Sequence, residues 1–143
     1  MDALDILKEK FVGNFYSRFS VGDTFDFIFD SFWLVAHNVV STDEDILNNF
    51  LLSEYEPAKD AVDKEDVSKS TIICSTLRKK IVDLSLTDEA ALTLGFENGV
   101  TLLFPTNTDV VDWQWAINDE GKDPYLGFIV GCFNQGEVQI GNR

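Results

Sequence analysis

Three side chains are the natural candidates for nucleophilic catalysis. His37 is the only histidine, and the two cysteines are Cys74 and Cys132. A nucleophile needs a general base beside it, and nothing in the local sequence brings either thiol to the imidazole. We therefore interpret His37 as a hydrogen-bonded strand residue and both cysteines as small buried hydrophobic residues. The sequence predicts no catalytic residue.

Motifs for metals and phosphates lack their required groups. One histidine and two distant cysteines cannot complete a tetrahedral zinc shell without several carboxylates. The run Asp43-Glu44-Asp45 lacks the alternating oxygen ligands and the glycine of a calcium-binding loop. Neither Gly-x-Gly-x-x-Gly nor Gly-Lys-Ser/Thr follows a predicted strand. We expect no metal and no cofactor.

Paired carboxylates remain an alternative. Glycoside hydrolases need little more than two acidic side chains in a cleft, and with 25 acidic residues two must approach one another somewhere. Sequence spacing cannot identify such a pair. A carboxylate-pair hydrolase is therefore the last of the three functions considered.

The acidic residues are concentrated in the middle of the chain. Between residues 41 and 66, nine acids outnumber two lysines, and the resulting charge of −7 is half of the chain's −14. Such a run usually forms a solvated surface that keeps a protein soluble. It can also steer a basic partner, because complementary fields accelerate encounter and set specificity. The acids that we expect to contact a partner are Asp43, Glu44, Asp45, Glu54, Glu56, Asp60 and Asp63.

Two tryptophans form a second candidate binding feature. Trp113 and Trp115 alternate with Gln114, which places both indoles on one face of a strand. Core packing is the first interpretation, because Val111 and Ile117 extend the same face. Exposed, the pair would anchor a protein interface, where tryptophan is enriched, or stack on a sugar or small molecule. A carbohydrate-binding or small-molecule-binding protein is therefore the alternative function.

Length and charge define the class of protein. A chain of 143 residues, 45% of them hydrophobic, is long enough for one sizeable core and predicts a single domain over residues 1–143. The acidic balance argues against nucleic acid and against an anionic membrane surface, since both attract cations. The apolar runs are too short for a transmembrane helix, and the first residues lack the features of a signal peptide. We expect a cytoplasmic protein with free thiols.

Hydrophobic periodicity predicts the elements that position these residues. Leu4, Leu7 and Phe11 form the apolar stripe of a short helix. Three strands follow over residues 14–40, the third spanning residues 32–40, with a hairpin turn at Gly22-Asp23.

A second helix is predicted to begin at Ser41, with Glu44 as its capping-box partner. Its apolar face consists of Ile46, Leu47, Phe50 and Leu51. Residues 53–69 lose this periodicity and are expected to form a long exposed connection.

The second half of the chain repeats the first pattern, with a short helix from Lys69 and three strands. Aligning Phe29 with Phe96 superimposes the two sets of strands. The similarity indicates either an internal duplication of residues 2–40 and 69–105, joined by an acidic helix and loop over 41–68, or simply two similar meanders.

Further strands complete the chain over residues 111–117, 126–133 and 137–140. The sequence therefore predicts an α+β fold. About eight mainly antiparallel strands, comprising the two three-strand meanders and the C-terminal strands, form a strongly bent sheet or a two-layer sandwich. Two or three short helices pack at one side.

The character of the whole chain resembles a known group of proteins. A small acidic α+β domain without catalytic groups is similar to the immunity proteins of bacterial polymorphic-toxin and contact-dependent inhibition systems. The hairpin around Phe96-Glu97-Asn98-Gly99, followed by Trp113-Gln114-Trp115, also resembles small β-rich bacterial proteins. Immunity proteins bind and neutralise a toxin domain, often a basic nuclease. The resemblance implies a non-enzymatic protein that occludes a basic toxin domain.

Overall fold

The computed structural model describes residues 1–109 and 111–142, which form three α-helices, one 3₁₀ helix and nine strands. The α-helices are α1 (Ala3–Phe11), α2 (Glu44–Glu54) and α3 (Lys64–Thr76), and the 3₁₀ helix spans Glu56–Asp60. The strands are β1 (Tyr16–Val21), β2 (Phe25–Phe29), β3 (Trp33–Ala36), β4 (Ile81–Leu86), β5 (Leu92–Phe96), β6 (Thr101–Phe104), β7 (Trp115–Asn118), β8 (Phe128–Asn134) and β9 (Glu137–Ile140).

Two antiparallel sheets share one hydrophobic core. The larger sheet has the order β1-β2-β3-β7-β8-β9, and the smaller has the order β4-β5-β6. Aromatic rings join them: the Phe27 and Phe104 centroids are 5.3 Å apart, and those of Tyr16 and Phe96 are 6.0 Å apart. Edge-to-face contacts at these distances stabilise a core beyond the area they bury. The predicted α+β class and its two antiparallel layers are confirmed.

The two meanders have the same register. Tyr16 pairs with Phe29 in the first, and Ile81 pairs with Phe96 in the second. Each register shifts directly after that first pair, so β1 and β4 are irregular at equivalent positions. The equivalence of Phe29 and Phe96 agrees with the sequence alignment. Duplication as the origin of this similarity stays a prediction.

The segments that follow α1 and α3 each form a hydrogen bond to the meander of the other half. The Gly13 amide after α1 donates to the Ile81 carbonyl over 2.8 Å, and the Arg78 amide after α3 donates to the Tyr16 carbonyl over 3.0 Å. Gly13 and Arg78 adopt φ angles of 86° and 63°, a conformation that ends a helix and redirects the chain. The segment before β1 is therefore hydrogen-bonded to the start of β4, and the segment before β4 is hydrogen-bonded to the start of β1.

Several predicted boundaries are wrong because distant contacts set them. β3 ends at Ala36 rather than at residue 40, since Val40 leaves the sheet and exchanges two 2.9 Å hydrogen bonds with Leu103 of β6. The strand predicted from residue 111 begins at Trp115.

The predicted helix starts in the middle of the chain also differ from the structure. α3 begins at Lys64 rather than at Lys69, because the Asp63 side chain accepts a hydrogen bond from the Glu65 amide and caps the helix. The capping box at the start of α2 does not form. Ser41 Oγ has no hydrogen-bond partner among the described residues, and Glu44 pairs with Lys69 instead.

Tyr16 connects β1 to the end of α3 through its hydroxyl. The ring is fully buried, and the hydroxyl donates to the Ile73 carbonyl over 2.6 Å and hydrogen-bonds to Thr76 Oγ1. Burial raises the pKa of the Tyr16 hydroxyl, so the group remains a neutral donor at physiological pH.

We expect Tyr16→Phe to lower the free energy of unfolding by about 1–2 kcal/mol, because the buried Ile73 carbonyl and Thr76 hydroxyl each lose one hydrogen-bond partner while the ring stays in place. Urea denaturation measures the change. Tyr125→Phe is the control, since the Tyr125 hydroxyl bonds to Asp112 at an exposed position, and its effect should stay within about 0.5 kcal/mol. Equal losses in the two variants would contradict a structural role specific to Tyr16.

Candidate protein-binding surface

The predicted acidic partner residues lie on one helical layer. They occupy the cap and body of α2, the 3₁₀ helix and the cap of α3, and these three helices pack against one another. We call this surface the acidic face; its members are Asp43, Glu44, Asp45, Glu54, Glu56, Asp60 and Asp63. All except Glu44 are exposed. The helices that carry the predicted carboxylates therefore form one packed group.

The acidic face is poorly neutralised. Among the described residues, its ion pairs are Glu56 with Lys59 at 3.0 Å and Glu44 with Lys69 at 2.9 Å. The first is solvent-exposed, and such pairs contribute little energy. Nearby Asp66 has a raised pKa, caused first by burial and then by the charge of Asp63. The face therefore presents a surplus of negative charge to solvent.

Lys69 anchors the acidic face to the core, and sequence reasoning missed it. This lysine is 5% exposed, and its ammonium donates to both carboxylate oxygens of Glu44 at 2.9 Å and to the Val39 carbonyl. α2 has no fully buried residue of its own, so this pair and the partly buried Leu47 join it to the core. A signal existed in the sequence: Lys69 precedes Ile72 and Ile73 by three and four residues, which places it on the buried side of α3.

Glu44 therefore has a structural role in addition to its place on the acidic face. Both of its carboxylate oxygens accept hydrogen bonds from Lys69, and charge-assisted bonds of this kind are stronger than neutral ones. A partner would compete with that internal cation for the same carboxylate. The exposed members of the face are the better contact candidates.

An apolar groove runs between α2 and α3 beside the acidic face. Its volume is about 400 Å³, and Ile46, Leu47 and Phe50 of α2 line it together with Ile72 and Val100. We call these five residues the apolar groove. The prediction that α2 buries its apolar face is only partly correct, because the exposed fractions of Ile46 and Phe50 are 75% and 59%.

The two tryptophans do not form a joint exposed face. Trp115 is fully buried in the core, and its indole N–H donates to the Ala90 carbonyl over 2.9 Å. Trp113 precedes β7, is half-buried and packs against the His37 ring, with centroids 4.0 Å apart and the ring planes tilted by 40°. The core interpretation is correct for Trp115. This residue therefore cannot stack on a sugar or anchor a partner, as the alternative interpretation required.

The candidate nucleophiles and base occupy different environments. Cys132 is buried, which raises its pKa to about 11. Cys74 is exposed on α3, contrary to the prediction that it is buried, because the helix turns it away from the side of Ile72 and Ile73. His37 lies just beyond β3, and burial lowers its pKa while the charge of Asp112 opposes this shift. A thiolate at Cys132 would be strongly disfavoured.

No protein-family model, curated protein or solved structure significantly matches the chain. In the described part of the chain, no three His, Cys, Asp or Glu side chains are grouped so as to hold a metal ion. No helix within residues 1–109 and 111–142 is long and apolar enough to cross a membrane. The candidate site consists of the acidic face and the apolar groove.

Thiol labelling at pH 8 should modify one cysteine per native chain. With a pKa of about 11, on the order of one Cys132 thiol in a thousand is ionised at that pH, and only the thiolate is reactive. We expect Ellman's reagent to release one equivalent from the native protein and two after denaturation. Cys74→Ser should abolish the native signal, and Cys132→Ser should preserve it. Rapid native labelling of both thiols would contradict the assignment.

Lys69→Met should destabilise the protein by about 3 kcal/mol, because Glu44 then keeps a partly buried charge without its partner. Urea denaturation measures the loss, and limited proteolysis tests whether α2 becomes accessible to cleavage. Lys64→Met is the matched control, since it removes an exposed lysine from the same helix. A similar loss in both variants would show that Lys69 is not a specific anchor.

Proposed function

We propose that this chain is a non-enzymatic binding protein of the immunity type, which neutralises a basic toxin domain by covering its surface. The observation that carries the proposal is the acidic face, where six of seven predicted carboxylates are exposed on packed helices. Charge of one sign on ordered elements is suited to steering an oppositely charged partner and to fixing its orientation.

The electrostatics of the acidic face favour a cationic protein as the partner. The net charge of −7 between residues 41 and 66 repels nucleic acid and anionic lipid headgroups. Two lysines of this segment do not offset nine acids. A dense anionic surface gains most from a partner that displays clustered Lys and Arg.

A nuclease toxin fits this requirement. Any protein that grips a phosphate backbone must display cations where the substrate binds. Carboxylates on an immunity protein would occupy the same cations and exclude the substrate. Neutralisation by occlusion then needs no catalytic residue on this chain.

The inferred compartment is the cytoplasm. Cys74 and Cys132 are both free thiols, and Cys74 is exposed. An exposed free thiol is more compatible with a reducing compartment than with an oxidising one. Binding within the cytoplasm would protect the cell that makes both the toxin and this chain.

Co-expression with a toxin tests the proposed function. The open reading frames adjacent to the gene for this chain are expressed singly in a laboratory bacterium, with and without this chain. We expect this chain to rescue growth against one basic toxin. It should also form a complex with that toxin, and the association rate should fall as the salt concentration rises. Failure to rescue growth or to form a complex with any of them would contradict the proposal.

Neutralising the exposed acids should slow association roughly tenfold or more without unfolding the chain. The variant is Asp43→Asn, Asp45→Asn, Glu54→Gln and Glu56→Gln, and it spares Glu44 because Lys69 needs that carboxylate. Surface plasmon resonance against the toxin that this chain neutralises gives the association rate at low and high salt.

The matched control neutralises four exposed acids elsewhere, by Glu9→Gln, Asp23→Asn, Asp30→Asn and Glu137→Gln. It changes the net charge equally and should retain most of the association rate. Equal slowing in both variants would mean that total charge, rather than the acidic face, drives binding. No slowing in either would remove electrostatic steering from the proposed function.

A further inference from the structure

The row of side chains along α2 combines apolar and acidic groups. Asp43, Ile46, Phe50 and Glu54 are spaced three or four residues apart, so they follow one side of the helix. Two large apolar residues are therefore exposed between two carboxylates, one at each end of α2. A hydrophobic residue is left in water at a cost, and an exposed cluster of them marks an interaction site.

The groove beside this row is built for apolar side chains. Leu47 and Val100 are partly buried, and Ile72 is 6% exposed. Thr71 and Ser75 of α3 also line it, and their hydroxyl groups are short enough to leave the groove open. At about 400 Å³, it has room for more than one large side chain.

We propose that the apolar groove receives the apolar side of a basic amphipathic helix of the partner, a mode of recognition that rests on the proposed function. Amphipathic helices bind such grooves through anchors spaced three or four residues apart. The exposed Ile46 and Phe50 have the complementary spacing, about 6 Å along the helix axis.

Charge complementarity selects the basic helix among possible occupants. In the described part of the chain, the groove lining contains the carboxylate of Asp43 and neither lysine nor arginine, and Glu54 follows Phe50 by one turn. Lysine or arginine beside the apolar anchors would meet these carboxylates. A second copy of this chain would instead bring its own −14 charge against them, so like charges oppose self-association through this surface.

The roles of the two surface features then differ. The acidic face raises the association rate through its field, whereas anchors in the groove slow dissociation, because desolvated apolar side chains account for most affinity in an interface. Substitutions in the groove should change mainly the dissociation rate. Substitutions on the acidic face should change mainly the association rate.

Three synthetic peptides of equal length test the proposal at physiological salt. The first is helical, with lysines on one side and leucines on the other; the second replaces the leucines with serine; the third replaces the lysines with glutamate. Fluorescence anisotropy measures the affinity, and amide chemical shifts of the ¹⁵N-labelled chain locate the site. We expect the first peptide to bind at the apolar groove at least tenfold more tightly than the others.

Ile46→Ser combined with Phe50→Ser should weaken binding of the first peptide roughly tenfold or more. The matched control is Val82→Ser combined with Leu126→Ser, which removes two exposed apolar residues outside the groove, and it should change the affinity less than twofold. The dissociation rates of the same two variants are also compared, using the toxin that this chain neutralises.

Each contrary outcome overturns the groove proposal and is distinguishable from failure of the proposed function. Equal binding of the serine peptide would leave only electrostatic attraction, and the proposed function would survive. Equal binding of the glutamate peptide would mean that basic charge is not recognised at the groove, and the growth-rescue experiment would still decide the proposed function separately. Absence of peptide binding, or a dimer that Ile46→Ser with Phe50→Ser dissociates in sedimentation, would also overturn the groove proposal.

Discussion

A largely buried ion pair joins the acidic helix to the protein, beside the packing of the partly buried Leu47 against the core. Lys69 reaches from α3 to Glu44 and to the Val39 carbonyl, while α2 buries no residue completely. Desolvating two charges offsets much of their attraction, so the pair contributes more to orientation than to net stability. This constraint explains how α2 stays ordered with Ile46 and Phe50 in solvent. The Lys69 ammonium also offsets the desolvation cost of placing the Glu44 carboxylate so close to the core.

Local sequence patterns were sufficient for the meanders but not for their limits. The alternation of Phe25, Phe27 and Phe29 needs no information beyond its own strand, because side chains on a strand alternate between faces. β3, in contrast, ends where Val40 bonds to Leu103, residues far apart in the chain. Tertiary contacts of this kind override local propensity. The predictions of the helix starts were wrong for another reason. Several Ser and Asp residues compete as N-caps, and only the folded geometry selects one of them.

The candidate site was predictable in composition and unpredictable in arrangement. The density of acids between residues 41 and 66 identified the acidic face directly. The apolar groove was hidden, because Ile46, Leu47 and Phe50 have the same spacing as a helix face that packs in a core, and exposure depends on what the rest of the chain leaves uncovered. Trp113 and Trp115 show the same ambiguity. They are two residues apart, yet one enters the core and the other packs against the His37 ring at a tilt.

The exchanged hydrogen bonds between the two halves have a consequence for the order in which the chain assembles. Because Gly13 bonds to Ile81 and Arg78 bonds to Tyr16, each half supplies backbone partners that the other lacks. Neither half can complete its first strand in isolation, and the nascent chain must wait for residues beyond 81 before its opening meander is closed. Such reliance on sequence-distant pairing slows folding. After a break in the backbone between the halves, these hydrogen bonds and the shared core would still hold the two fragments together.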